Sequence, residues 1–235
     1  MKKIIKLFLC IVLMLVAVYF IHYHYKYQVV DDYDNKGLGI SKDNMEELSD
    51  LKEEYNNNEI VMSIDIPGVL ALPIVQTSDN DYYLTHDLSR KESDVGTPFL
   101  DYRIKSFNDK KIVVYGYNDV DSSLPFSSLT NYKDESFYKE HSIILTSSNE
   151  GKRKYKIFSC FVEEKGFNYE ILNVYNSTKY EEQIKTLKEK SSYDTSVDVS
   201  DEDRIIVLLT GTLNESKDSL KYQFVIGKEV KDSIE

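Results

Sequence analysis

Alternation of apolar and polar positions governs the chain from residue 59 onward. Ile60, Met62, Ile64 and Ile66 alternate with Val61, Ser63 and Asp65, the period of two that sends successive side chains to opposite faces of a strand. Short runs of the same kind recur at 71–76 (ALPIVQ), 82–84 (YYL), 98–102, 111–117 (KIVVYGY), 142–146, 155–162, 204–210 (RIIVLLT) and 222–230, and each is predicted as a strand. Helical spacing appears at 44–56 (NMEELSDLKEEYN), where Met45, Leu48 and Leu51 share one face, and again at 178–191 (TKYEEQIKTLKEKS). Short strands with so few helices between them predict an antiparallel sheet or closed barrel rather than a parallel βαβ fold. No solenoid-length repeat is present, and the acidic stretch 194–203 is the sole biased tract.

The first 25 residues follow a different pattern. Positions 4–21 are apolar apart from Lys6, close to the roughly 20 residues that cross a bilayer core, and Lys6 lies near enough to one end for its stem to snorkel. Lys2, Lys3 and Lys6 precede the apolar run, while His22, Tyr23, His24 and Tyr25 follow it. The positive-inside rule therefore places the N-terminus in the cytoplasm and the rest outside a single-pass membrane anchor. No small-x-small cleavage pattern follows Phe20, so an uncleaved anchor is expected rather than a signal peptide. His22 and His24, set among tyrosines, read as interfacial anchors rather than metal ligands. The expected organisation is an anchor at 1–25, a linker at 26–43 containing Gly37 and Gly39, and one globular domain at 44–235.

Composition narrows the function classes. The chain has 235 residues with 19 Tyr and 10 Phe, too many apolar and aromatic residues for a disordered acidic tail. Its 29 basic residues against 40 acidic ones give a net charge of -11, which argues against nucleic-acid binding. Setting aside the three anchor lysines leaves 26 basic against 40 acidic residues, or -14, on the remainder. Cys10 lies in the predicted span and Cys160 in the exported part, so no intramolecular disulfide is expected. An exported domain that relies on its core instead fits the surface proteins of Gram-positive bacteria.

The motifs from about residue 51 to 230 resemble those of the class B sortases, membrane-anchored cysteine transpeptidases of Gram-positive bacteria. In chain order they are EIVMSIDIPGVLALPIVQ (59–76), DNDYYLTHDL (79–88), GTPFLDYR (96–103), KIVVYGYN (111–118), FSSLTNYKDESFYKEH (126–141), YKIFSCF (155–161), IIVLLTGT (205–212) and FVIGK (224–228). The resemblance implies a mostly β fold, an eight-stranded sortase-like β-barrel with an N-terminal helix and a few peripheral helices. It also implies chemistry that needs a thiolate nucleophile, a histidine to protonate the leaving amine, and an arginine to hold the oxyanion or substrate.

All three of those residues are replaced. Tyr117 stands where the family's YGHN has its histidine, Gly211 where its TC motif has the cysteine, and Tyr222 where the last strand has its arginine. Glycine cannot form an acyl-enzyme, so a pseudo-enzyme is expected, with no catalytic residue at these positions and no cofactor or metal. Tyr117, Asn118, Thr210, Gly211, Thr212 and Tyr222 are the candidate binding-groove residues. The expected partners are the membrane through the N-terminal helix and a sorting-signal peptide, a pilin or wall protein, or another sortase.

Cys160 is the one exported thiol and the candidate for a relocated nucleophile in an active enzyme, but mid-strand in IFSCFV it reads as core packing. Thr210 and Thr212 flank the lost cysteine and read as strand-end hydroxyls bonded to backbone, since a catalytic Thr needs an adjacent base. His86 and His141 are expected to be exposed, solvated side chains. The carboxylates of 194–203 lack the ligand spacing of a calcium loop and are expected to form a solvated surface turn.

Overall fold

The computed structural model describes residues 43–118, 126–164, 179–212 and 221–230. The predicted anchor at 1–25, including Cys10, His22 and His24, and nearly all of the linker lie outside the described residues. Among the described residues no helix is long and apolar enough to cross a membrane.

Eight strands close into one barrel: β1 (Ile60–Ile66), β2 (Leu70–Val75), β3 (Phe99–Leu100), β4 (Lys111–Asn118), β5 (Ile143–Ser148), β6 (Gly151–Glu164), β7 (Ile205–Thr212) and β8 (Lys221–Val230). Around the barrel they run β1-β2-β3-β4-β7-β8-β6-β5, with β1 and β5 closing the ring. The mostly β, eight-stranded architecture is as expected, but the pairing is not wholly antiparallel. β4 and β7 run parallel along eight residue pairs, and β2 meets β3 parallel. Alternation within one strand cannot reveal this, because strand direction depends on which distant segment becomes the neighbour.

Alternation does predict the core. Met62, Ile64, Ile74, Val114, Leu208 and Val225 face inward and are buried. On the outside, Val113, Val207, Phe224 and Ile226 form a second layer that is covered by α3 (Tyr180–Glu189) through Ile184 and Leu187. Helix α1 (Asp43–Glu54) packs Leu48 against Ile60, Val75 and Phe99. Each such side chain removed from water contributes roughly 2 kcal/mol.

Three predictions need correction. Residues Tyr82–Leu84 form a 3-10 turn, not a strand. The Asp79 carboxylate accepts the backbone N–H groups of Asp81 and Tyr82 at 2.9 Å each, and Leu84 N–H donates to the Asp81 carbonyl. A local side-chain acceptor thus takes donors that a strand would have used. A 3-10 segment, Ser127–Lys133, and a short helix, α2 (Glu135–Glu140), were not anticipated. Asp134 caps α2 by accepting from Ser136 N–H, a signal readable as an N-cap aspartate before a charged turn. Finally, His141 is buried rather than solvated, with Nδ1 3.1 Å from the Pro67 carbonyl and its ring against Phe137. His86 is half-buried, stacked on Tyr82 at 4.0 Å.

Candidate functional site

The parallel pairing of β4 with β7 and the antiparallel pairing of β7 with β8 put three candidate positions in one row. Tyr117 pairs with Gly211, and Gly211 pairs with Tyr222. Because paired residues point to the same face of a sheet, Tyr117 and Tyr222 flank the glycine on the outer face. Thr210 and Gln223, one step along, turn inward and are buried. Gln223 donates through Nε2 to the carbonyls of Phe161 and Phe224. Asn118 and Thr212 pair with each other at the end of the row.

This row is one side of a cleft of about 450 Å³. Its opposite wall is the 3-10 turn, with Asn80, Asp81 and Leu84, while Phe99, Tyr115 and Leu209 form the deeper part. Backbone chemistry holds the wall in place. Asn80 Oδ1 accepts from Tyr102 N–H at 3.0 Å. Gly96, at φ +60°, lies so close to the Tyr83 carbonyl that an added Cβ would be 2.5 Å from its oxygen, so only glycine fits this left-handed position. Gly116, in the YGYN motif, plays another part. A Cβ there would be 2.7 Å from Phe126 Cδ2, and its absence lets the fully buried Phe126 ring close the barrel interior beneath the cleft.

Tyr115 is locked from behind. Its hydroxyl donates to Asp101 Oδ2 at 2.9 Å, and Arg103 grips the same carboxylate through Nε at 2.9 Å and Nη2 at 2.6 Å. Asp101 is wholly buried. Burial alone would raise its carboxyl, but the hydrogen bonds from Arg103 and Tyr115 outweigh that and hold it below the usual carboxylate range. The phenol of Tyr117 is raised by burial and then by the neighbouring Tyr222, so it stays protonated at neutral pH.

Gly211 leaves space that Tyr222 uses. A Cβ at 211 would be 3.1 Å from Tyr222 Cε1 and 3.3 Å from Cδ1, so the ring lies across the place a side chain would take. The cleft is lined by tyrosines, an asparagine and an aspartate, with no thiol, histidine or basic side chain among the described lining residues.

Cys160 sits elsewhere. A β-bulge between Ile157 and Ser159 changes the phase of β6, so that Phe158 joins the outer layer while Ile157 and Cys160 belong to the interior. Its thiol is 0% exposed, and burial pushes it up to about 12 despite a hydrogen bond involving Tyr193. A thiol that neither ionises nor meets solvent is core packing. The acidic stretch 194–203 lies along the surface with exposed and half-buried positions alternating. No group of three or more His, Cys, Asp or Glu side chains able to hold a metal occurs among the described residues.

Comparison with known proteins agrees with the fold. No family model matches the chain. The chain is 32% identical over 182 residues to sortase B of Listeria monocytogenes, covering 77% of this chain and 72% of that protein. It is 32% identical over 160 residues to sortase B of Staphylococcus aureus, covering 67% and 65% respectively. Among solved structures, a mutant form of Clostridium perfringens sortase B superposes with a TM-score of 0.72 at 26% identity, covering 81% of this chain and 89% of that one. The Staphylococcus aureus sortase B–substrate complex gives 0.71 at 27% identity, covering 90% and 94%.

Proposed function

The chain belongs to the sortase B family, and from that premise we propose that it is a catalytically silent member that holds a peptide at the outer face of the cell membrane. The ligand in this reading is a sorting-signal peptide, or a segment of a pilin, a wall protein or another sortase. The observation that carries the reading is the covered glycine: Gly211 occupies the position of the family's nucleophile, and the Tyr222 ring lies over it. Covalent transfer needs an activated nucleophile that can form and release an acyl bond, and the described lining residues include no thiol and no histidine to activate a hydroxyl, while the cleft has aromatic walls suited to contact with a peptide. A Staphylococcus aureus sortase B solved as a complex with its substrate supports a bound ligand for this fold. An active enzyme with Cys160 as relocated nucleophile is disfavoured by the burial of that thiol, which pushes its pKa up to about 12.

The test uses the full chain in detergent micelles, sorting-signal peptides and an amine acceptor. No acyl-enzyme and no transfer product should form, while photo-crosslinkers placed at 117 or 222 in living cells should capture peptide from an envelope protein. Turnover that survives Cys160→Ala would disprove the silent reading, and turnover abolished by it would make Cys160 the nucleophile. If neither position captures anything while a crosslinker on α3 does so reproducibly, the protein is a structural subunit and its cleft is vestigial.

A further inference from the structure

Replacing the family's histidine and arginine with tyrosines changes the electrostatic preference of the cleft as well as its chemistry. Phe99, Tyr115, Tyr117 and Tyr222 present aromatic surface, and among the described lining residues Asp81 is the one carboxylate and there is no Lys, Arg or His. Two residues away, Asp79 is held ionised by the N–H groups it accepts from Tyr82 and then Asp81. The charges behind these walls do not reverse the balance. Arg103 is committed to Asp101, and Lys221, by strand alternation, lies on the opposite face of β8 from Tyr222.

Resting on the peptide-holding reading above, we infer that the cleft takes a cationic side chain, a lysine or arginine of an extended peptide, against the Tyr117 and Tyr222 rings and facing Asp81. Aromatic faces carry negative potential and attract ammonium and guanidinium groups. A neutral side chain laid over the same site would desolvate Asp81 without supplying a partner, at a cost in free energy. An acidic side chain would add repulsion to that cost. The net charge of -11 favours the same class of ligand at long range, but the local lining determines which residue of the peptide enters.

The experiment uses the full chain in detergent micelles and arrayed octapeptides whose central position is Lys, Arg, Nε-acetyl-lysine, Ala or Glu, at about 0.15 M salt to suppress distant electrostatics. Lys and Arg peptides should be retained about ten-fold more strongly than their acetyl-lysine counterparts. Asp81→Asn, Tyr222→Leu and Tyr117→Leu should each reduce that ratio several-fold, while Asp201→Asn on the far acidic stretch leaves it unchanged. If Asp201→Asn reduces the ratio as much as Asp81→Asn, the preference belongs to the whole surface and the inference fails. Retention that ignores charge yet disappears on filling the cleft with Gly211→Phe overturns the cation inference and leaves peptide holding intact. No retention of any peptide overturns both.

Discussion

Gly211 and Tyr222 face each other directly across β7 and β8, and the tyrosine ring lies 3.1 Å from the point where a Cβ on residue 211 would stand. The two positions are therefore coupled in space: the small residue makes room for the large one. Two opposing effects meet at position 211. Replacing a strand glycine with alanine reduces unfolded-state entropy and stabilises by roughly 0.4–1 kcal/mol where the backbone allows it, while the tight ring contact opposes it.

The coupling predicts a double-mutant cycle. Gly211→Ala should be neutral or mildly destabilising in the natural background and stabilising by about 0.5 kcal/mol in a Tyr222→Ala background. Urea unfolding of the four proteins measures both. Equal effects in the two backgrounds would mean that the ring does not restrain residue 211.

Restoring the three family residues together, Gly211→Cys with Tyr117→His and Tyr222→Arg, also removes the ring that crowds position 211. The new thiol should be alkylated by iodoacetamide at pH 7.5 far faster than Cys160, because a neighbouring cation lowers a thiol below its free value of about 8.5 while burial pushes Cys160 up to about 12. Peptide mapping by mass spectrometry distinguishes the two thiols. Comparable rates would show that the cleft no longer supports a reactive site.

Lys111 makes stability depend on pH. It is buried, it donates to Gln183 Oε1, and its Nζ lies 5.9 Å from the centre of the Tyr180 ring. Burial, and then the charge of Arg103, lower it from 10.5 to about 7. Between those values the unfolded chain holds a proton that the folded one has released, so stability rises with pH from about 7 toward 10.5, by at most about 1.4 kcal/mol per pH unit. The difference between natural protein and Lys111→Met, followed by thermal unfolding from pH 6 to 9, should isolate that rise. A pH-independent difference would mean that Lys111 titrates normally.

Asp101 gives a rise of stability with pH as well, but in the acid range. Its lowered carboxyl contributes stability that is complete above the unfolded value of about 3.9 and is lost as pH falls below it. Asp101→Asn removes the charge and one of the two acceptor oxygens that Arg103 and the Tyr115 hydroxyl share and sets an N–H donor against them, and it should destabilise by about 2 kcal/mol. It should also weaken crosslinking from position 117, since Tyr115 would no longer be held in the cleft wall. A variant as stable as the natural protein at pH 7 would refute the lock.

Much was legible in the sequence because it rests on local periodicity. The inward face of β1, the helix at Tyr180–Glu189 and the burial of Cys160 follow from which residues alternate or recur, and the ordered motifs reveal the family. Only tertiary structure decided that β4 and β7 run parallel, since direction depends on a neighbour some ninety positions away. It also placed His141 beneath Pro67 and turned Tyr82–Leu84 into a capped turn. At the site, the motifs in the sequence by themselves pointed to Tyr117, Gly211 and Tyr222 as the positions to compare. The barrel register alone decided that the Tyr222 ring lies across Gly211, because a contact between side chains from two strands exists only once their backbones are hydrogen-bonded in one particular alignment.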